Sequence, residues 1–307
     1  MQLLPGLGRV KPDRRPVKRT RTILILIVVL AGVLFTVSHR PRPTNNDAPL
    51  IANSEGSESV PVMLPAVAPT IPPIPTPPKD WAGELPVAGG TVFLSADGPN
   101  KSVRKVSVGP FAIAETEVTN EQYQEFILET GRQAPPHWSE QLYPPGTATE
   151  PVTQVTWQQA ADYCAWLSVK LGTNVRLPTE AEWELAAKGE SGFNYPWGNE
   201  WNEYAAASAE TTGQIRAVKS YPSGRSPVGA YEMAGNVWEW VGDDVIDAAG
   251  RPIMSESSVL KIAKGGAANE PRRFIGTWVR ALLPSDKPRR YLGFRYVIVR
   301  ENSERPD

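Results

Sequence analysis

Two carboxylates seven residues apart, Glu232 and Glu239, enclose small residues and stand beside Trp238 and Trp240 in the stretch YEMAGNVWEW. Acids in such a setting do one of three things. One gives a proton while the other takes it; both join backbone carbonyls around a hard cation; or each neutralises a buried base. The rest of the chain narrows what can work beside them. It has one cysteine, Cys164, and two histidines, His39 and His137. A single cysteine makes no internal disulfide and no thiolate cluster. A histidine-rich metal centre or a Ser-His-Asp triad is all but excluded, since His137 alone would have to serve it. A surface loop is the expected place for His137.

The 307 residues carry a net charge of −1, unevenly spread. Residues 1–40 hold eight Arg or Lys against Asp13, so this part is +7 and the remainder −8. An acidic remainder gives no reason to expect nucleic acid as a partner. Residues 23–37 read ILILIVVLAGVLFTV, without charge. That is short for a span of about 20 residues, but Thr22 and Ser38 extend it and Arg21 and Arg40 can snorkel. A cleaved signal peptide is the rival; no small-x-small site stands out after Phe35. Basic residues gather on the N-terminal side, which keeps that end in the cytoplasm. Eleven prolines between Pro41 and Pro78 rule out helix or central strand and make a semi-rigid stalk. The expected order is a cytoplasmic tail over 1–21, a transmembrane helix over 22–38, a Pro-rich linker over 39–80, one domain over 81–301 and a tail over 302–307.

The elements that must position the acids announce themselves by a repeated grammar. Thr119 and Gln122, Thr156 and Gln159, and Thr179 and Glu182 have capping-box spacing. Gly131, Gly172 and Gly189 close the three helices. Cys164 falls on the apolar stripe of the second helix, where cysteine acts as a small hydrophobe. Strands are expected in GGTVFLSA, KVSVGPFAIAETEV and GFRYVIVR. Between Gly189 and Gly265 the chain reads as long loops, so the class is α+β. The tryptophans 157, 166, 183, 197, 238 and 240 are read as core and loop staples rather than as a sugar-binding surface.

PFAIAETEVTNEQYQEF, PVTQVTWQQAADYCAWLS, VRLPTEAEWELAAKG, YPWGNEW, SPVGAYEMAGNVWEW, KGGA and GFRYV occur in that order. Together they resemble the formylglycine-generating enzyme, or sulfatase-modifying-factor, domain over about residues 84–300. The resemblance implies a C-type-lectin-like fold with low regular secondary structure and bound calcium. It places one structural calcium on the side chains of Glu232 and Glu239 and the carbonyls of Gly235 and Val237. On spacing alone, a salt-bridged or solvated pair of glutamates beside core tryptophans would be the better reading. A second calcium site of some relatives is expected to be lost, because NEYAAASAE has alanines where its ligand should be.

Enzymes of this family oxidise a peptide cysteine with a copper-binding cysteine pair. The pair falls near Glu270 and Ile275 here, and KGGAANEPRRFIGTWVR has no cysteine. Copper(I) needs the soft thiolates, so neither copper nor formylglycine synthesis is expected. The resemblance further implies a groove for a peptide or protein partner, with Asn269, Glu270, Arg272, Arg273, Trp278 and Arg280 as its candidates. Arg295, in GFR, is read as structural. The sum is a pseudoenzyme held in the inner membrane, its N-terminus cytoplasmic and its domain periplasmic. The alternative is a periplasmic oxidase of the siderophore-maturation kind, working without the cysteine pair.

Overall fold

The structure, a computed structural model, describes residues 83–95 and 103–299. The expected tail, membrane span, linker and C-terminal tail lie outside these residues. Among the described residues no helix is long and apolar enough to cross a membrane.

Three helices form where the capping grammar puts them: α1 Asn120–Thr130, α2 Trp157–Leu171 and α3 Glu180–Lys188. In each, the N-cap threonine accepts from the third residue's N–H while that residue's side chain accepts from the threonine's own N–H. Two orphan donors are thereby satisfied at each start. Gly131 and Gly172 close α1 and α2 in the left-handed conformation. Gly189 differs: its φ is 61° but its ψ is −156°. The chain leaves α3 directly into a 3-10 turn over Gly189–Ser191 and has no room for a full left-handed cap.

Among the described residues ten strands make three sheets. β1 Glu84–Val87, β4 Phe111–Ala114, β10 Val297–Val299 and β5 Asn174–Arg176 pair antiparallel in the order β1-β4-β10-β5. β2 Gly90–Ser95 and β3 Val103–Val108 form a two-stranded ribbon. The third sheet runs β8-β7-β6-β9, from β6 Trp238–Asp244, β7 Leu260–Gly265, β8 Gly276–Pro284 and β9 Leu292–Phe294. Among the described strands only β6 and β9 pair in parallel. One core packs α1 and α2 around Tyr123, Phe126, Tyr163 and Phe294, with Tyr123 and Tyr163 stacked at 5.7 Å. The other packs α3 through Trp183 and Leu185 against Ile113, Met233 and Val297.

Strands β2, β3, β4, β9 and β10 fall in the segments expected to be extended. Strands β6 and β7 instead occupy a stretch read as loop. Alternation fails there because both faces of β6 are covered and the pairing is broken by irregular registers, between Trp240 and Asp244 and between Lys264 and Gly265. Of the tryptophans, Trp183 and Trp240 are fully buried, and Trp157 and Trp240 tie loops by donating to Val241 O and Val155 O. Cys164 is buried on α2, and burial pushes its thiol up, so it behaves as core.

Candidate functional site

The parallel pairing of β6 with β9 sets Trp240 beside Phe294, and so brings Glu239 and Arg295 face to face. Arg295 Nε donates to Glu239 Oε2 at 2.7 Å and Nη2 to Oε1 at 2.8 Å. Trp183, on α3, donates its indole N–H to Glu239 Oε2 at 2.8 Å. Arg295 Nη2 also reaches Tyr231 O at 2.8 Å. Both side chains are sealed from solvent. This two-pronged pair locks two sheet strands, α3 and the loop before β6 together.

Glu232 is spent differently. Its backbone is left-handed, with φ 51°, and its buried carboxylate accepts from the backbone N–H of Lys219 at 3.0 Å and Tyr221 at 3.3 Å. Gly235 has φ 82°, and a Cβ there would stand 2.3 Å from Ala207 O, so glycine is required by close approach as well as by conformation. Its N–H donates to Gly265 O. Among the described residues no three His, Cys, Asp or Glu side chains converge as metal ligands. The two side chains of the expected calcium set, Glu232, Gly235, Val237 and Glu239, are engaged by protein groups: Glu239 by Arg295 and Trp183, and Glu232 by the N–H groups of Lys219 and Tyr221. Arg295 supplies the positive charge at Glu239, and backbone donors fill Glu232. The spacing-based reading, a buried acid held by a protein base, describes Glu239.

A third acid joins them. Glu117, between β4 and α1, is fully buried; Asn236 Nδ2 donates to its Oε1 at 3.0 Å, and its Oε2 has no partner. Burial, then the nearby Glu232 carboxylate, holds its carboxyl well above the usual range, against the pull of Arg295. A raised native pKa means that folding binds a proton, so this group loses stability as pH rises from the unfolded value. Glu117→Gln is isosteric and cannot ionise. Its stability relative to the unaltered chain is expected to increase as pH is raised from about 4.5. Urea unfolding at pH 4.5 and 7.5 checks this; a constant difference between the two proteins would show that Glu117 does not titrate on folding.

The expected groove residues divide between two places. Asn269, Glu270, Arg272 and Arg273 lie on one exposed turn. Its base is tied by Ala209 N–H to Glu270 O and by Glu270 N–H to Ala267 O. The N–H of Arg272 donates to the Glu210 carboxylate at 3.0 Å, and the Arg273 guanidinium lies 4.7 Å over the exposed Phe274 ring. The turn folds back on Gly266, where φ is 83° and a Cβ would meet Phe274 O at 2.3 Å. Trp278 and Arg280 are on β8. Trp278 stands in a three-residue irregularity, since Lys264 pairs with Arg280 but Gly265 pairs with Gly276. Arg280 turns inward to Glu180 at 3.4 Å and joins a buried network in which Glu184 bridges Lys188 and Lys264. Arg280 is thus partly a structural base rather than a free hand for a ligand.

Three aromatics cluster on the neighbouring loop: Trp197, read from the sequence as a staple, and Tyr195 and Trp201, which the sequence reading did not single out. Tyr195 and Trp197 stack at 5.1 Å and Trp201 meets Tyr195 edge-on at 5.4 Å; all three are half-buried. The loop is bound to β8, since Thr277 donates to Phe193 O and Asn194 O. The density of aromatics in YPWGNEW was the available signal. Glu270 and Ile275, near which the resemblance puts the missing cysteine pair, are half-buried and 1% exposed respectively. Neither side chain can act as a thiolate.

Comparison with known proteins bears on the family and the fold. Over 200 residues the chain is 33% identical to the serine/threonine-protein kinase Pkn1 of Chlamydia trachomatis, covering 56% of this chain and 31% of the kinase. It thus spans about a third of that relative's length. It is 28% identical over 243 residues to the inactive C-alpha-formylglycine-generating enzyme 2 of Mus musculus, covering 60% of this chain and 76% of that one. The solved structure of PvdO from Pseudomonas aeruginosa shares the fold, with a TM-score of 0.57, 24% identity and coverage of 70% and 93%. A family model for the sulfatase-modifying factor enzyme 1-like domain matches residues 72–300, so the chain belongs to that family.

Proposed function

We propose that this chain is a non-catalytic member of the family, held in the inner membrane by residues 22–38, whose periplasmic domain binds a peptide or protein partner at the 269–280 surface. The observation that carries the reading is the pair Glu270 and Ile275 where thiolates would be needed, with the one cysteine buried far along the sequence on α2. Without soft ligands there is nowhere for copper(I) to be held by that chemistry. The exposed Arg272 and Arg273, beside the aromatic loop, suit a segment that brings carboxylates and apolar side chains.

Two measurements test it. The purified chain, given a cysteine-containing peptide, oxygen and copper(I), is expected to consume no oxygen and leave the peptide mass unchanged. Stoichiometric copper or iron with oxygen uptake would instead favour the periplasmic oxidase. Peptides selected for binding to the chain are expected to lose about tenfold or more in affinity on Arg272→Glu with Arg273→Glu, a loss of roughly 1.4 kcal/mol or more. Unchanged affinity places the partner elsewhere.

A further inference from the structure

One cluster of aromatic rings belongs to neither hydrophobic core. Tyr195 and Trp197 stack at 5.1 Å, 4° from parallel, and Trp201 meets them edge-on at 5.4 Å and 6.1 Å. None of the three is part of the core around Phe126 or of the core around Trp183, nor packs against either. Tyr204, three residues further along the same loop, is 75% exposed. Large aromatic rings grouped at the surface in this way mark a contact site.

The loop holds these rings in place by its own bonds. Tyr195 and Gly198 exchange both backbone hydrogen bonds across a tight turn. Trp197 gives its indole N–H to Glu200 O at 2.9 Å. Asn194 N–H donates to Asn199 Oδ1 at 3.1 Å, and Tyr204 N–H to Asn202 Oδ1 at 2.9 Å. Trp201 differs from Trp197: among the described residues nothing accepts its indole N–H. The surface thus offers fixed ring faces and one open donor, a preorganised arrangement that costs little to occupy.

A polyproline II chain matches that chemistry. Its proline rings are apolar faces for aromatic rings, and its carbonyls, free of internal hydrogen bonds, accept from an indole N–H. It is already stiff, so docking orders little. A sugar needs polar side chains for its hydroxyls, and here the amide oxygens of Asn199 and Asn202 are taken by backbone N–H groups.

The chain carries such a segment in reach of the loop. Residues 72–78, which lie outside the described residues, read PPIPTPP and are followed by Lys79 and Asp80. The described chain begins at Gly83. Two residues on, a Cβ at Gly229 would stand 3.8 Å from the Leu85 side chain. Arg225 Nε donates to Gly229 O at 3.0 Å, and Ser223 Oγ donates to Tyr204 O at 2.7 Å. A short run of contacts therefore leads from Gly83 to Tyr204. Residues 72–82 span about 34 Å in the polyproline form, at about 3.1 Å per residue. The charges correspond as well: Glu200 and Arg272 both act on the Tyr195 hydroxyl, so one charge of each sign flanks the rings. Lys79 and Asp80 supply the opposite signs. We propose that Tyr195, Trp197, Trp201 and Tyr204 form a docking site for a polyproline II segment, and that its occupant is this chain's own residues 72–78. Docking lays the last of the proline stretch along the domain.

A fluorescent synthetic peptide of residues 69–80 tests this on two full-length proteins. One is the unaltered chain; the other carries Pro72→Ser, Pro73→Ser, Pro75→Ser, Pro77→Ser and Pro78→Ser, which vacate the site. The peptide is expected to bind the vacated chain saturably at one site. Binding to the unaltered chain, where the tethered segment competes, is expected to be at least tenfold weaker. Adding Trp201→Ala or Tyr204→Ala to the vacated chain is expected to weaken binding at least tenfold. Tyr204 is on the surface, so its variant keeps the test open if Trp201→Ala misfolds. A peptide with serine for every proline is expected not to bind. Absence of saturable binding to the vacated chain overturns the proposal, as does unchanged affinity in Tyr204→Ala. Equal affinity for the two chains removes the tethered segment as occupant. So does a dimer in sedimentation that dissociates in the vacated chain, because a second copy then supplies the prolines. Saturable binding of a chito-oligosaccharide in place of the peptide assigns the rings to a sugar. The inference is independent of the reading proposed for the arginine turn, which Arg272→Glu with Arg273→Glu tests separately.

Discussion

Arg295→Met is expected to lower stability by about 3–5 kcal/mol, because it strands a buried carboxylate. At roughly 2–4 °C per kcal/mol for a domain of this size, the melting temperature falls by some 6–20 °C. Glu239 would keep only the Trp183 indole at 2.8 Å as a partner for its charge. Arg295→Lys is expected to recover little. An ammonium cannot reproduce the fork that meets both Glu239 oxygens and Tyr231 O together. The double variant Glu239→Gln with Arg295→Met should be more stable than Arg295→Met alone, since no charge is then left unpaired. Calorimetry on the three proteins decides it. A melting temperature within about 2 °C of the unaltered chain for Arg295→Met would mean that the pair contributes nothing.

A second large loss is expected from Glu184→Leu, again about 3–5 kcal/mol. Glu184 is the hinge of a buried network: Lys264 Nζ lies 2.7 Å from its Oε1, and Lys188 pairs with its Oε2. Without it, Lys188 keeps only the Phe93 carbonyl at 3.4 Å, and Lys264 is left with Glu180, which is 3.3 Å away and also lies 3.4 Å from Arg280. Arg280 would then lose its claim on Glu180, so binding at the 269–280 surface is expected to weaken with stability. Adding Lys264→Met to Glu184→Leu should return part of the loss, which a double-mutant cycle by urea unfolding measures. Strict additivity of the two losses would show that the residues do not interact in the native state.

Much of the frame could be read along the chain. Each helix start is encoded within four residues, from threonine to the third helical position, and such local contacts form wherever the segment goes. The missing cysteines at Glu270 and Ile275 are also plain in the sequence, and they bear most directly on activity. Burial of Cys164 followed from its place on the α2 stripe. Strands β6 and β7 were hidden because their registers slip and both faces of β6 are covered, so period-two alternation never appears.

The acids of YEMAGNVWEW show where linear reading stops. Residue types established that Glu232 and Glu239 are hard-oxygen donors with a glycine turn between them, and the ordered motifs established the family. Which positive group meets Glu239 depends on Arg295, which is 56 residues away and arrives only through the parallel pairing of β6 with β9. Glu117 enters from 119 residues away through Asn236. A carboxylate's partner is chosen by whichever donor the fold brings within about 3 Å, and spacing in sequence carries no information on that distance.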